Sequence, residues 1–373
     1  MATKSREAKT TRPRLPEWLR AELPSGEALR VYNRTNSAVE GNALHTVCEE
    51  ARCPNIHDCW GRGTATFMVA GKECTRGCRF CSVETLKTPA PPDLDEPAHL
   101  ANAVRRMGLK FVVVTVVNRD DLPDGGASHY RACIEEVHRQ LPEVGIELLG
   151  SDLAGDLDAL HALLGKNPPP PSGGGARGGG RSRVPGSPPP LTPPPLGEGD
   201  FAEPTLACSL LPLKVFAHNV ECVPRLDSLV RDPRASFDQS LGILNEAKRL
   251  RPDLATKSSL MVGLGESDDE VIQAMLRLRE EASVDIVTLG QYLTPGRPGE
   301  RFLPVDRYVT PEQFDHYRDA AYEMGFGGVA SGPMVRSSYR AGVLYEATRT
   351  GKRVEELLDS DPQVVQLAPM STD

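Results

Sequence analysis

The chain has 373 residues, a formal net charge of −8 and a hydrophobic fraction of 39%. That length suits one large α/β domain with extensions, or two smaller domains. The acidic balance argues against a nucleic-acid partner, because phosphate binding needs a basic surface, and no apolar run is long enough to span a bilayer.

Residues 1 to about 40 are polar and mixed, with an amphipathic piece around Trp18 and Leu19. Lys4, Arg6, Lys9, Arg12 and Arg14 lack the apolar core of a secretion signal, and Glu7, Pro13 and Pro16 suit an organelle transit peptide poorly. This part reads as a flexible cytoplasmic arm. A cysteine-rich stretch follows, and inside it Thr64 to Val69 reads as a strand. Asp93 to Met107 has helical spacing and a capping-box start in Asp93 and Glu96. Phe111 to Val117 is a continuous apolar run, as a buried parallel strand should be.

Helix is expected over Ser128–Gln140 and Asp156–Leu164, with a strand at Ile146–Leu149 between them. Further strands are expected at Leu213–Phe216, Ser258–Val262 and Ile286–Leu289. Helices over Ser236–Leu250 and Asp268–Glu281 separate them, and a last long helix opens at Thr310-Pro311, with proline in its first turn. About six strand–helix units thus follow the cysteines. They predict an α/β fold, a partial (β/α)6 TIM-like barrel with an N-terminal cysteine-rich extension and a C-terminal extension. A doubly wound open sheet is the alternative. In either, chemistry belongs at the carboxyl ends of the strands.

The expected divisions are an arm over 1–40, a cysteine segment over 41–63, the barrel over 64–335 and the C-terminal extension over 336–373. Between about Asn167 and Glu203 the composition shifts to PPPPSGGGARGGG and SPPPLTPPPLGEG. Such a stretch cannot bury a core, so an insertion over about 167–205 is expected to be disordered. It leaves between a helix and a strand, opposite the expected active face. Loop-closure entropy grows slowly, roughly 0.6 kcal/mol per doubling of length, so the fold tolerates it.

Six of the nine cysteines fall between Cys48 and Cys81. Clustering without a secretion signal points to metal in a reducing compartment. Cys133, Cys208 and Cys222 are scattered and read as core or loop residues. Cys74, Cys78 and Cys81 are spaced to ligate three irons of a cubane, leaving the fourth iron without a protein thiolate. Zinc is the bland alternative, but it prefers four ligands. Cys48, Cys53 and Cys59 form a second triad that is ambiguous by spacing, since His57 within it completes a Cys3His zinc set.

With Phe80 directly before Cys81, the Cys-x3-Cys-x-Phe-Cys pattern resembles the radical S-adenosylmethionine superfamily. The string from Cys48 to Asn55, then Cys59-Trp60, then Cys74 to Cys81, resembles the lipoyl synthase family in particular. Asn118 to Ala127, His218-Asn219-Val220-Glu221, Met261 to Glu266 and Arg336-Ser337-Ser338-Tyr339 are similar to that family's later motifs. The resemblance covers roughly residues 15 to 355, except the Pro/Gly stretch.

The resemblance implies two [4Fe-4S] clusters with S-adenosyl-L-methionine as co-substrate. Cys74, Cys78 and Cys81 would hold the radical-generating cluster, and Cys48, Cys53 and Cys59 an auxiliary one with Ser338 as fourth ligand. A hydroxyl oxygen is a harder, less suitable partner for such iron than thiolate, so it is replaceable; the bland reading of Ser338 is a helix cap. Asp120, Asp121, Gly125, Gly126, Asn219, Glu221, Gly263 and Gly265 are the expected contacts to S-adenosylmethionine, although turn chemistry alone explains such glycines.

The implied activity is radical insertion of two sulfur atoms, at C6 and C8 of an octanoyl group on a carrier lysine. The implied partners are octanoylated lipoyl carrier domains (dehydrogenase-complex E2 subunits and the glycine-cleavage H protein), a flavodoxin or ferredoxin-type electron donor, and cluster-assembly proteins. Neither nucleic acid nor membrane is expected, and the expected location is cytoplasmic. Two other readings are another radical sulfur inserter, such as a biotin synthase-like enzyme, and a non-catalytic iron–sulfur carrier.

Overall fold

Alternation of buried strands and capped helices governs the chain from Thr66 onward. The computed structural model describes residues 15–19, 23–40, 45–50, 53, 55–61, 66–165, 210–296 and 300–360. The Pro/Gly-rich stretch and Cys208 lie outside these residues.

The expected flexible arm contains a helix, α1 (Gly26–Glu40). Tyr32, Thr35 and Val39 recur at helical spacing, so one side of α1 can be buried. There the Tyr32 ring meets those of His57 and Trp60, each at 5.5 Å, and Thr35 Oγ1 donates to the Trp60 carbonyl. The two-residue strand β1 (His45–Thr46), α2 (Val47–Glu50) and α3 (Ile56–Gly61) complete the cysteine segment.

The barrel begins with β2 (Thr66–Val69) and a two-stranded ribbon of β3 (Glu73–Cys74) and β4 (Glu84–Thr85). Then come α4 (Glu96–Met107), β5 (Phe111–Val116), α5 (Ala127–Gln140), β6 (Gly145–Leu149) and α6 (Leu157–Leu164). Beyond the Pro/Gly stretch lie β7 (Val215–Ala217), α7 (Asp227–Val230), α8 (Phe237–Leu250), β8 (Ala255–Val262), α9 (Asp268–Ala282) and β9 (Ile286–Gln291). The chain closes with α10 (Pro311–Glu323), β10 (Gly328–Gly332), α11 (Ala341–Thr350) and α12 (Val354–Ser360).

One sheet takes the order β1-β2-β5-β6-β7-β8-β9-β10. Only β1 is antiparallel, against β2; the others pair parallel, each with the next strand of the order. The order ends at β1 and β10, so the barrel is partial. Six parallel strands of this sheet follow Cys81, as expected. The last of them, β10, is one the pattern did not mark. Its residues Gly328, Val329, Ala330, Ser331 and Gly332 form no apolar run because α11 packs too close: a Cβ on Gly328 would lie 2.7 Å from the Leu344 carbonyl oxygen.

Side-chain caps set the starts of four α-helices among the described residues. Asp156, Ser236, Ser267 and Thr310 each accept a backbone N–H of the first turn, and Ser267 with Glu270 makes the full capping box. The expected box at Asp93 and Glu96 does not form. Asp93 instead accepts the Asp95 N–H in a turn, and Asp95 occupies the cap position. The Glu96 carboxylate is drawn away to the Ala70 N–H and His129 Nε2, tying α4 and α5 to the end of β2.

In the sheet, Glu147 of β6 and Lys257 of β8 form a fully buried ion pair, Nζ lying 2.8 and 3.0 Å from the two carboxylate oxygens. At the edge of the Pro/Gly stretch, Arg251 Nη1 donates to the carbonyls of both Leu164 and Leu211. The described residues on either side of the stretch, Leu164 and Leu211, are thus held by one side chain. Among the described residues no helix is long and apolar enough to cross a membrane.

Candidate active site: two cysteine triads

All the loops that follow the parallel strands converge at their carboxyl ends. The first of them carries Cys74, Cys78 and Cys81, just beyond β2. Its backbone is pinned on every side: Thr75 N–H donates to the Asn118 carbonyl, Arg79 N–H to that of Val230 and Leu86 N–H to that of Cys74. The sulfurs receive backbone amides. Arg76 N–H points at Cys74 Sγ (3.4 Å), Asp232 N–H at Cys78 Sγ (3.3 Å) and Val83 N–H at Cys81. Burial pushes the Cys78 thiol up to about 11 and that of Cys81 to about 12, while the amides pull toward thiolate. A cation that replaces the protons relieves that burial penalty, as thiolate ligation requires.

Beneath the loop runs an ionic network, buried at Arg76 and Asp152 and open to water at Arg234. Arg76 donates to Asp152 at 2.6 Å and to both oxygens of Asp120, at 2.7 and 3.0 Å. Arg234 bridges Asp120 and Asp232, and donates to the Thr75 carbonyl. Asp232 accepts the Gly77 N–H and is held well below the usual carboxylate range, chiefly by Arg234. Burial works against ionisation of Asp120, but Arg76 and Thr75 outweigh it and keep its pKa low.

The other triad lies on the cysteine segment. Cys48 sits on α2, Cys59 on α3, and Cys53 between them donates its N–H to the Cys48 carbonyl. Cys48 is buried, which pushes its thiol up to about 11 against the pull of the Thr66 N–H toward thiolate. Trp60 Nε1 is buried with no hydrogen-bond partner among the described residues. Asn55 Nδ2 donates to the Met334 carbonyl, bringing the chain after β10 against this segment.

That C-terminal contact carries Arg336, whose guanidinium feels the charges of Cys53 and Cys59 while burial presses its pKa down. Tyr339 N–H closes a turn onto the Arg336 carbonyl, with Ser337 and Ser338 at its tip. Ser338 is not a helix cap: α11 begins at Ala341 with Arg340 in the cap position. Its half-buried hydroxyl bonds to none of the described residues. His57, the alternative zinc ligand, lies with its ring against Tyr32.

The remaining expected residues divide into two groups. Asp120 serves the network above, and Asp121 makes a two-pronged pair with Arg119, which also donates to the Ala70 carbonyl. Both carboxylates thus position the first loop. Gly125 and Gly126 form the turn into α5, where Asp124 accepts the N–H groups of Gly126 and Ser128. Gly126 has φ 91°, and a Cβ there would lie 2.6 Å from the Tyr130 ring. Gly263 has φ 96° and passes the Arg307 carbonyl oxygen at 2.5 Å from where its Cβ would stand; Gly265 lies in the same turn beside Asp306. Glu266 accepts the N–H groups of Gly263 and Leu264.

Asn219 and Glu221 behave differently. Asn219 Nδ2 donates to Glu221 Oε1, while Asn219 Oδ1 is buried with no partner. Glu221 adopts a left-handed φ of 68° and bridges to Leu260 of β8. Burial raises its carboxyl pKa despite nearby Arg231, and its charge acts on Cys78 and Cys81. An unpartnered acceptor beside a carboxylate, next to a cluster-type triad, suits a ligand offering an ammonium or hydroxyl. A cleft of about 750 Å³, lined by Glu49, Glu50, Gly77, Ser82, Arg301 and Phe302, among others, opens between the two cysteine regions.

Sequence reasoning missed Arg76, Asp152, Asp232, Arg234 and Trp60 as site residues. Arg76 and Trp60 stood inside quoted motifs, but only contact shows what they do. Asp232 lies 154 positions from Cys78, beyond any spacing rule. Cys133 and Cys222 are buried in the core as expected, and no disulfide joins any of the eight described cysteines.

Comparison with known proteins bears on this arrangement. A family described as the N-terminal domain of lipoyl synthase of the radical SAM family matches residues 1–53, and the radical SAM superfamily matches residues 68–165. The chain is 43% identical to "Lipoyl synthase, mitochondrial" of Branchiostoma floridae, over 94% of this chain and 81% of that protein. It is 43% identical to the human protein of the same name, over 92% and 80%, and 44% identical to "Lipoyl synthase" of Halorhodospira halophila, over 91% and 86%.

Proposed function

The chain belongs to the lipoyl synthase family of radical S-adenosylmethionine enzymes, and from that premise we propose how its residues divide the work of sulfur insertion. The substrate is an octanoyl group on the lysine of a lipoyl carrier domain, and the product carries sulfur at C6 and C8. One observation carries the proposal: two triads of thiols at one end of a partial barrel, in two unlike environments, with a cleft between them.

The donor sets fit two [4Fe-4S] clusters. Cys74, Cys78 and Cys81 hold the first and leave one iron for a small ligand. Cys48, Cys53 and Cys59 hold the auxiliary one, and Ser338 supplies its exchangeable fourth ligand. When bound, these groups and S-adenosylmethionine supply the hydrogen-abstracting radical and the sulfur. Asn219 Oδ1 and Glu221 accept hydrogen bonds from the amine or hydroxyls of the nucleotide ligand. Asp120 and Asp121 act from behind, holding the loop that positions those irons. The glycines at 125, 126, 263 and 265 keep turns tight enough for backbone to line the mouth.

Octanoylated E2 subunits and H protein are the expected carriers, with a flavodoxin or ferredoxin-type donor and cluster-assembly proteins as further partners. The cytoplasmic reading rests on the reducing conditions that so many thiols need; relatives are named both with and without "mitochondrial". The test is anaerobic. Protein with rebuilt clusters receives dithionite, S-adenosylmethionine and an octanoyl-lysine peptide. Both 5′-deoxyadenosine and a doubly thiolated peptide are expected. Nucleoside without thiolated peptide points to another radical reaction; neither product points to a cluster carrier.

A further inference from the structure

Arg231 stands between two residues that hold the Cys74–Cys81 loop, and itself holds something else. On one side of it, the Val230 carbonyl accepts the Arg79 N–H at 2.8 Å. On the other, the Asp232 N–H points at Cys78 Sγ at 3.3 Å, and the Asp232 carboxylate accepts the Gly77 N–H at 2.9 Å. Arg231 closes α7 in an extended conformation, with φ −98° and ψ 165°, and its buried side chain runs to the end of β7. There Nη1 donates to the Val220 carbonyl at 3.2 Å and Nη2 to Ser240 Oγ at 2.9 Å, while the carboxylate of Asp227 stands off at 3.7 Å.

The guanidinium is itself held. Ser240 Oγ lies 2.9 Å from His218 Nε2, and His218 Nδ1 lies 2.9 Å from the Gly150 carbonyl oxygen. A carbonyl only accepts, so Nδ1 carries the ring proton. Burial keeps the ring neutral, and Nε2 then accepts the Ser240 hydroxyl. The Val220 carbonyl is no ordinary acceptor either. It also takes the Cys222 N–H at 2.9 Å, closing a three-residue turn with Glu221 at its centre. Glu221 there has φ 68°, a left-handed value that a glutamate adopts only at a cost and keeps only where its surroundings fix it. The Glu221 N–H donates to the Ser259 carbonyl, so Arg231 grips the other side of the same peptide.

We propose that Arg231 is a positioning residue joining the two halves of the ligand site: its guanidinium holds the strained turn at Glu221, beside Asn219, while its neighbours Val230 and Asp232 hold the Cys78 loop. His218 and Ser240 fix the guanidinium in turn. Arg231 thus acts on the affinity for the nucleotide ligand through Glu221, and a shift of the turn is felt at the loop. The inference rests on the reading that the Cys74 triad holds a cluster and that Asn219 and Glu221 contact S-adenosylmethionine.

The test uses intact, reconstituted enzyme carrying Arg231→Met, Arg231→Lys, Ser240→Ala or Glu221→Gln. Iron content, S-adenosylmethionine affinity (from the change it makes in the EPR spectrum of the reduced cluster), and KM and maximal rate of 5′-deoxyadenosine release are measured. Backbone amide exchange over residues 219–222 is followed in metal-free protein. Arg231→Met should weaken affinity and raise KM roughly tenfold, and Ser240→Ala about threefold. Iron content should be kept, the maximal rate should fall far less than KM rises, and exchange at Cys222 should quicken in both. Arg231→Lys should recover only part of the affinity, because an ammonium lacks the fork that reaches both acceptors. Ser240→Ala removes a single oxygen and keeps the guanidinium, so it decides the matter if Arg231→Met does not fold. Affinity and Cys222 exchange both unmoved in Ser240→Ala and in folded Arg231→Met would overturn the proposal. Iron lost in step with affinity would overturn it as well, marking a general loosening of the loop. Full affinity in Glu221→Gln, or a parent that binds no S-adenosylmethionine, would instead sink the underlying reading.

Discussion

The two cysteine regions solve one chemical problem in opposite ways. Around Cys74, Cys78 and Cys81 the sulfurs meet backbone amides, and the loop is clamped by Arg76, Asp120, Asp152, Arg234 and Asp232. The segment carrying Cys48, Cys53 and Cys59 is tied down instead by Trp60 against Tyr32 and Thr35 of α1, and by a turn arriving from the far end of the chain. The ionic clamp belongs to one region, and the packed contact with the chain's far end to the other.

The sharpest way to break the comparison is to remove one thiol from each region. Cys78→Ala is expected to abolish release of 5′-deoxyadenosine, while Cys53→Ala keeps nucleoside release and abolishes thiolation, both measured in the anaerobic assay. Equal loss of nucleoside in the two variants would erase the distinction. The clamp comes next in size. Arg76→Met leaves Asp152 and Asp120 without their buried cation, so chemical unfolding should show a loss of about 3–5 kcal/mol.

Ser338→Ala is expected to lower thiolated product roughly tenfold with nucleoside release maintained; product yield at matched iron content is the readout. Alkaline pH gives a further contrast. The thiols of Cys48, Cys78 and Cys81 lie at about 11 to 12 when folded, above the ordinary value of 9.0. Their contribution to apoprotein stability is therefore whole below pH 9 and lost as the pH rises through 11 to 12. Thermal unfolding of metal-free protein should fall over that window, and Cys48→Ala should flatten only part of the fall. The smallest effect belongs to the Pro/Gly stretch. Removing residues 167–205 should change stability by about 1 kcal/mol or less and leave turnover unaltered.

Much of this was legible before any coordinates. Apolar runs such as Phe111–Val116 and caps such as Ser236, Ser267 and Thr310 announce elements because local physics alone decides them. β10 escaped notice because its small residues answer to the nearness of α11, a tertiary fact. Helix α1 escaped because its buried side is short and depends on Trp60 for a partner. At the site, cysteine spacing is local and readable, whereas the bonds from Asp232 to the Gly77 loop, or the approach of Arg336 to Cys53, join distant parts of the chain. The roles of Asp120 and Asp121 were blurred for the same reason: their sequence neighbours say turn, and only Arg76 and Arg119 say clamp.

The bond pair from Arg251 to Leu164 and Leu211 makes a neck at which the polypeptide can be lengthened without being felt elsewhere. Both described flanks of the Pro/Gly insertion are fastened to the same guanidinium. A fluorescent or affinity module grafted there would report on the enzyme while leaving its chemistry alone.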